Sequence, residues 1–216
     1  MAQAWVRGYQ GNDLSADTTL MACVKHYALY GAAEAGRDYN TVDMSRVTAM
    51  NYYMRPYQAA VEAGVGSIMT SFNEFESIPA TGNTWLLNDV LRKQWGFNGF
   101  VVSDFTAIAE MVNHGIGNSQ EVGVKALKAG VDMDMIADCY HAVLKKSLEE
   151  GKITEAEIDS ACRRILIAKY QLGLFHDPYK YCNPKRAAKE FLSVNNVSAA
   201  RRIAAESFVL LKNDNN

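Results

Sequence analysis

The chain lacks a basic excess: 22 Lys and Arg stand against 24 Asp and Glu, a formal charge of −2 over 216 residues. That leaves no electrostatic footprint for nucleic acid and no polybasic patch for an anionic membrane. It also lacks any apolar stretch near the roughly 20 residues of a membrane span. The opening residues, "MAQAWVRGYQGND", do not have the charged-then-apolar layout of a signal peptide. Cysteine is sparse and scattered: Cys23, Cys139, Cys162 and Cys182 form no CxxC and no paired spacing. Such thiols read as small buried hydrophobes, not as a metal or disulfide framework. What remains is ordinary globular composition, 49% hydrophobic and 21% charged, in a chain long enough to bury a core.

Strand-like and helix-like stretches alternate. "MACVKHY" (21–27), "GSIMTSF" (66–72), "GFVVSDF" (99–105) and "VDMDM" (131–135) are short apolar runs with polar residues at or near their far ends. Between them the 3.6-residue period predicts helices. One runs from Ser45 to Ala63 and stops at Gly64. Another, in "NTWLLNDVLRKQWGF", places Leu86, Val90 and Leu91 on one face and stops at Gly96. A third, "SQEVGVKALKAG", has Ser119 as its cap and Gly130 as its stop. Two more helices follow, the second opened by a Thr154/Glu157 capping box and closed near Gly173. Strand and helix repeating every 30 to 45 residues or so is the pattern of right-handed βαβ units in a parallel sheet. Strands without polar alternation fit a sheet covered by helices.

In such folds the chemistry gathers at the carboxyl ends of the strands. Lys25–His26, Ser71–Asn73 and Ser103–Asp104 all fall there. Each has a bland reading. Asp104 sits where it would cap the helix of "TAIAEMVN". Lys25 would snorkel from the rim, and His26 would be a satisfied core histidine. Three strands delivering polar groups to one rim is the argument for a site. Asp132 and Asp134, two apart on a strand, share a face and read as loop anchors. Glu74 and Glu76, in "FNEFES", read as solvated loop residues.

Longer segments carry a resemblance. "VKHYALYGAAEAGRDYNTVDMS", "PATGNTWLLNDVLRKQWGFNGFVVSDFTAI", "YQLGLFHDPY" and "AAESFVLLKN" together resemble glycoside hydrolase family 3, in its bacterial β-glucosidase branch. The resemblance implies an α/β fold, a (β/α)8 barrel, of which this chain would be the carboxyl-terminal half. About four βα units would occupy residues 1–176. A helical linker, 177–216, would lead toward an α/β sandwich. A whole barrel needs eight strands and about 250 residues.

The resemblance also implies roles. Asp104 would be the nucleophile of a retaining mechanism. Lys25 and His26 would hold sugar hydroxyls, while Met69 and Phe72 would line the subsite of the cleaved residue. Many relatives carry tyrosine where this chain has Phe72 and tryptophan where it has Phe105. Phe105 would still stack against substrate, but both positions lose a hydrogen-bonding handle. The acid/base glutamate and the earlier sugar ligands are expected outside this chain, and neither metal nor organic cofactor is expected. The substrate would be a terminal β-glucoside or a short β-linked oligosaccharide, handled in a periplasmic or secreted setting. Partners would be a second copy or the missing barrel half, with no nucleic acid and no membrane. A non-catalytic sugar-binding half-barrel that keeps the motif is the alternative. The absence of any histidine between His26 and His114 argues strongly against the family's N-acetylglucosaminidase branch, which uses a loop histidine there.

Overall fold

The computed structural model describes residues 1–214, in two compact units: residues 1–176, and a second from Asp177 onward. At the centre of the first unit three parallel strands lie side by side. They are β1 (Cys23–Tyr27), β3 (Ser67–Thr70) and β6 (Phe100–Val102), in the order β1-β3-β6. Val24, Ile68 and Val101 stand in one lateral row. Ile68 and Val101 are fully buried, packed in one cluster with Leu86, Leu87, Val90 and Leu91. The amphipathic face read from the Trp85–Gln94 stretch is therefore what covers the sheet. Strand starts approach so closely that a Cβ at Gly99 would lie 2.2 Å from the Gly66 carbonyl oxygen. Only glycine fits there.

Several elements differ from their sequence reading. The Ser45–Ala63 helix is broken into Arg46–Thr48, a π-wound turn at Ala49–Tyr53, and Arg55–Glu62. Pro56 has no N–H to donate to the preceding turn, so the winding is interrupted just before it. The cap of Ser119–Ala129 is Asn118, not Ser119. Asn118 Oδ1 accepts from the N–H groups of Gln120 and Glu121, and Glu121 reaches back to the Asn118 N–H at 2.8 Å. The Thr154/Glu157 box is present as read. Gly130, at φ 106, closes its helix in a conformation that side chains disfavour.

The fourth strand is reduced to a single bridge between Val102 and Met133. Here the Asp132 carboxylate takes the Val101 N–H, at 2.8 Å, which a backbone ladder would otherwise use. A second small sheet was not foreseen. β2 (Thr41–Val42) runs parallel to β4 (Glu74–Phe75), and β4 pairs antiparallel with β5 (Ile78–Pro79). The thiols also differ from expectation: Cys139 is buried, whereas Cys23, Cys162 and Cys182 are exposed. Cys23 starts β1, the strand at the end of its sheet, and Cys162 lies on the outer side of the Glu155–Gln171 helix.

Among its described residues the second unit holds two helices, Pro184–Glu190 and Val194–Glu206, capped by Asn183 and Ser193. None of its described residues is buried. No helix among the described residues is long and apolar enough to cross a membrane.

Candidate active site

The rim at the strand ends is built from three loops. After β6 the chain turns at Asp104, which is 9% exposed. Its Oδ1 accepts the Phe105 N–H at 2.7 Å, and its Oδ2 lies 3.5 Å from His26 Nε2. The Ala107–Glu110 helix starts after Thr106 and has no side-chain cap. Asp104 is therefore not the cap of that helix, and its outer oxygen is left facing the rim. Phe105, beside it, is 56% exposed.

At the end of β1, His26 is half-buried, its ring 5.6 Å from that of Tyr30, and its carbonyl accepts the Tyr57 hydroxyl. Lys25 is exposed and lines a groove with Trp5, Tyr9, Tyr53 and Tyr57 along the outer edge of β1. Among the described residues no ion pair joins Lys25 to Asp104. The nearest basic partner of that carboxylate is His26, where the sequence reading had named Lys25. From β3, Met69 is half-buried and in lateral register with Val102. Phe72 follows the strand end and packs against Tyr39, ring centroids 4.6 Å apart and the planes tilted by 53°.

The other strand-end polar groups are structural. Ser71 Oγ and Asn73 Nδ2 both donate to the Ala28 carbonyl, and Ser103 Oγ accepts the Met135 N–H. Asp132 is an anchor, as read. It accepts from Arg92 Nη2 at 2.7 Å, Arg164 Nη1 at 2.6 Å and the Val101 N–H. Asp134 accepts the N–H groups of Cys139 and Tyr140 at the start of the next helix. The glutamates are not free loop residues. Glu74 lies in β4 and sits 2.6 Å from His114 Nδ1, tying that strand to the loop after Ala107–Glu110. Glu76 accepts from Arg46 Nε and Nη2, one through each carboxylate oxygen.

Sequence reasoning passed over Tyr30, Asp38 and Tyr39. They lie in a stretch read only as a polar loop, and two tyrosines and an acid within ten residues were the available signal. Tyr30 Oη donates to Asp38 Oδ1, which also accepts the Tyr39 N–H. Burial and the Asp38 carboxylate together push the Tyr30 phenol well above its ordinary range. Among the described residues no group of three His, Cys, Asp or Glu side chains is arranged to hold a metal.

Comparison with known proteins shows the family. Residues 1–168 match the model of the glycosyl hydrolase family 3 N-terminal domain. The chain belongs to glycoside hydrolase family 3. Among family 3 relatives, the periplasmic beta-glucosidase of Salmonella typhimurium (strain LT2) is 45% identical over 219 residues, which is 99% of this chain and 28% of that protein. A beta-xylosidase of Formosa agariphila is 36% identical over 231 residues, covering 100% of this chain and 31% of that protein. The crystal structure of the beta-glucosidase from Listeria innocua superposes with a TM-score of 0.94 at 44% identity, over 99% of this chain and 30% of that one. The chain thus spans less than a third of the length of these family 3 proteins.

Proposed function

We propose that this chain carries the nucleophile of a retaining β-glucosidase, and that Asp104 is that nucleophile. The observation that supports this reading most is the placement of Asp104 at the end of β6. It is nearly buried, but one oxygen faces the rim beside His26. In the reaction, the Asp104 carboxylate attacks the anomeric carbon of a terminal β-D-glucosyl residue. The bond to the leaving oxygen breaks as a carboxylic acid protonates that oxygen. Water, deprotonated by the same carboxyl, then displaces Asp104 and releases the sugar. Such an acid lies about 5–5.5 Å from the nucleophile in retaining enzymes. Glu74 and Glu76 are engaged with His114 and Arg46, so we assign the acid/base to a glutamate outside this chain.

His26 and Lys25 are assigned to the sugar hydroxyls, and Met69, Phe72 and Phe105 to the walls. Relatives are named as glucosidases and xylosidases, and a Listeria innocua structure is a complex with laminaribiose. A terminal β-linked glucosyl or related glycosyl unit is the substrate we infer. The name of the Salmonella relative favours a periplasmic or secreted setting. A 2-deoxy-2-fluoro glucoside inactivator is the direct test, applied to this segment grafted in place of its counterpart in the Listeria innocua β-glucosidase. Mass spectrometry should find the added glycosyl mass on the peptide containing Asp104. A label on any other carboxylate, or none, would overturn the assignment.

We also propose that the first unit is the carboxyl-terminal half of a (β/α)8 barrel, with residues 177–216 as a linker toward a further domain. Among the described residues β1 has a strand partner on one side only, and Trp5 and Tyr9 stand exposed beside it. Met133 and Ile136, beyond the other end of the sheet, are exposed as well. Open strand edges flanked by apolar surface recruit a covering partner. The isolated 216-residue chain is therefore expected to self-associate and to hydrolyse aryl glucosides negligibly. Light scattering with an aryl-glucoside assay checks both. A stable, active monomer would refute the half-barrel reading.

A further inference from the structure

The loop after β1 builds something the assignment of Asp104 does not use. From His26, which touches the Asp104 carboxylate, aromatic rings run outward without a gap. Tyr30 lies 5.6 Å from His26, Phe72 lies 6.1 Å from Tyr30, and Tyr39 lies 4.6 Å from Phe72. The outermost ring, Tyr39, is 41% exposed. Its backbone sits at φ 63, a conformation that a bulky side chain adopts only when its surroundings impose it. The imposing group is Asp38, whose Oδ1 accepts both the Tyr39 N–H and the Tyr30 hydroxyl. Asn40 completes the clamp through Nδ2 to the Glu34 carbonyl and Oδ1 from the Thr41 N–H. Burial and the carboxylates of Glu110, Asp38 and Asp104 push the Tyr39 phenol up, which agrees with a ring placed on the rim facing those acids.

A solvent-facing tyrosine held in a strained turn and backed by a second ring has no role in the core. The carbon-bound hydrogens on a sugar's flat face pack against aromatic rings, while its hydroxyls take polar partners. We propose that Tyr39, supported by Phe72, is the platform for the leaving-group sugar of a β-linked disaccharide, and that Asp38 is its positioning residue. This rests on the reading of Asp104 as the centre of a sugar site. Tyr39 would then set the preference among leaving groups without taking part in bond breaking.

The test compares two donors in the grafted enzyme: laminaribiose, whose leaving group is a sugar, and β-glucosyl fluoride, which has no ring to stack. Tyr39→Ala is expected to lower kcat/KM on laminaribiose about tenfold, mainly through KM, the scale set by losing one apolar face contact. On the fluoride the same variant should stay within about twofold of the parent. Tyr39→Phe should behave as the parent. Asp38→Ala should show the same donor-selective loss, and Asp38→Asn, which keeps the accepting oxygen, should restore it. Equal losses on both donors, or no loss on laminaribiose, would overturn the platform. Were the parent to hydrolyse neither donor, the reading of Asp104 would fail separately. Calorimetry with laminaribiose would then decide: weaker binding by Tyr39→Ala upholds the platform, and unchanged binding overturns it.

Discussion

Asp104→Asn, in this segment grafted into its Listeria innocua counterpart, is expected to cut glucoside hydrolysis by roughly a thousandfold or more, with no loss of fold. The magnitude follows from the proposed role: the amide has no negative charge with which to attack the anomeric carbon. A thousandfold corresponds to about 4 kcal/mol of transition-state stabilisation, a modest figure for a covalent nucleophile. Retention of the fold follows from what the carboxylate does locally. Oδ1 accepts one backbone N–H, from Phe105, and an asparagine carbonyl oxygen accepts it equally well. The Ala107–Glu110 helix takes no bond from this side chain, so nothing unravels downstream. Turnover of an aryl glucoside, measured beside the thermal midpoint of each variant, checks both halves. A variant keeping a tenth of parental turnover would mean that another group forms the bond.

Asp132→Ala has the largest expected effect on stability. The residue is 5% exposed, and its carboxylate joins three elements. It holds Arg92 from the helix over the sheet, Arg164 from the Glu155–Gln171 helix, and the Val101 N–H of β6. Its removal leaves two guanidinium groups, one of them largely buried, without their counter-charge. Breaking a buried pair from one side costs about 3–5 kcal/mol, against a total stability of about 5–15 kcal/mol for a domain. A fall in thermal midpoint of roughly 10 °C is the expected reading by circular dichroism. Asp132→Asn, which keeps accepting oxygen but no charge, should fall between parent and alanine. An alanine variant melting within about two degrees of the parent would show that the three elements hold together without it.

The elements that were legible in the sequence are those whose cause is local. A Gly at the end of an amphipathic run stops a helix because of its own backbone freedom, and Gly130 does so here. Thr154 and Glu157 form a capping box because they are three residues apart. Leu86, Val90 and Leu91 face the core because the winding puts them on one side. The three central strands announced themselves as apolar runs with polar ends, and their parallel order followed from the helices between them.

What only the tertiary structure decided are the pairings between distant residues. β2 and β4 are two-residue strands with no period to detect, and they exist because the loops after β1 and β3 meet. The fourth strand shrank to one bridge because a carboxylate, not a carbonyl, takes the Val101 N–H. Asp104 faces His26, and Lys25 does not pair with it, through the way β1 and β6 end in space. Tyr39 became a candidate only when folding laid it on Phe72, 33 positions further along the chain. Sequence alone determined which residues fall at or near the ends of the central strands, His26 and Asp104 among them, because strand ends are set by local chemistry. Which of them touch was left to packing between segments tens of residues apart, and no local pattern records that geometry.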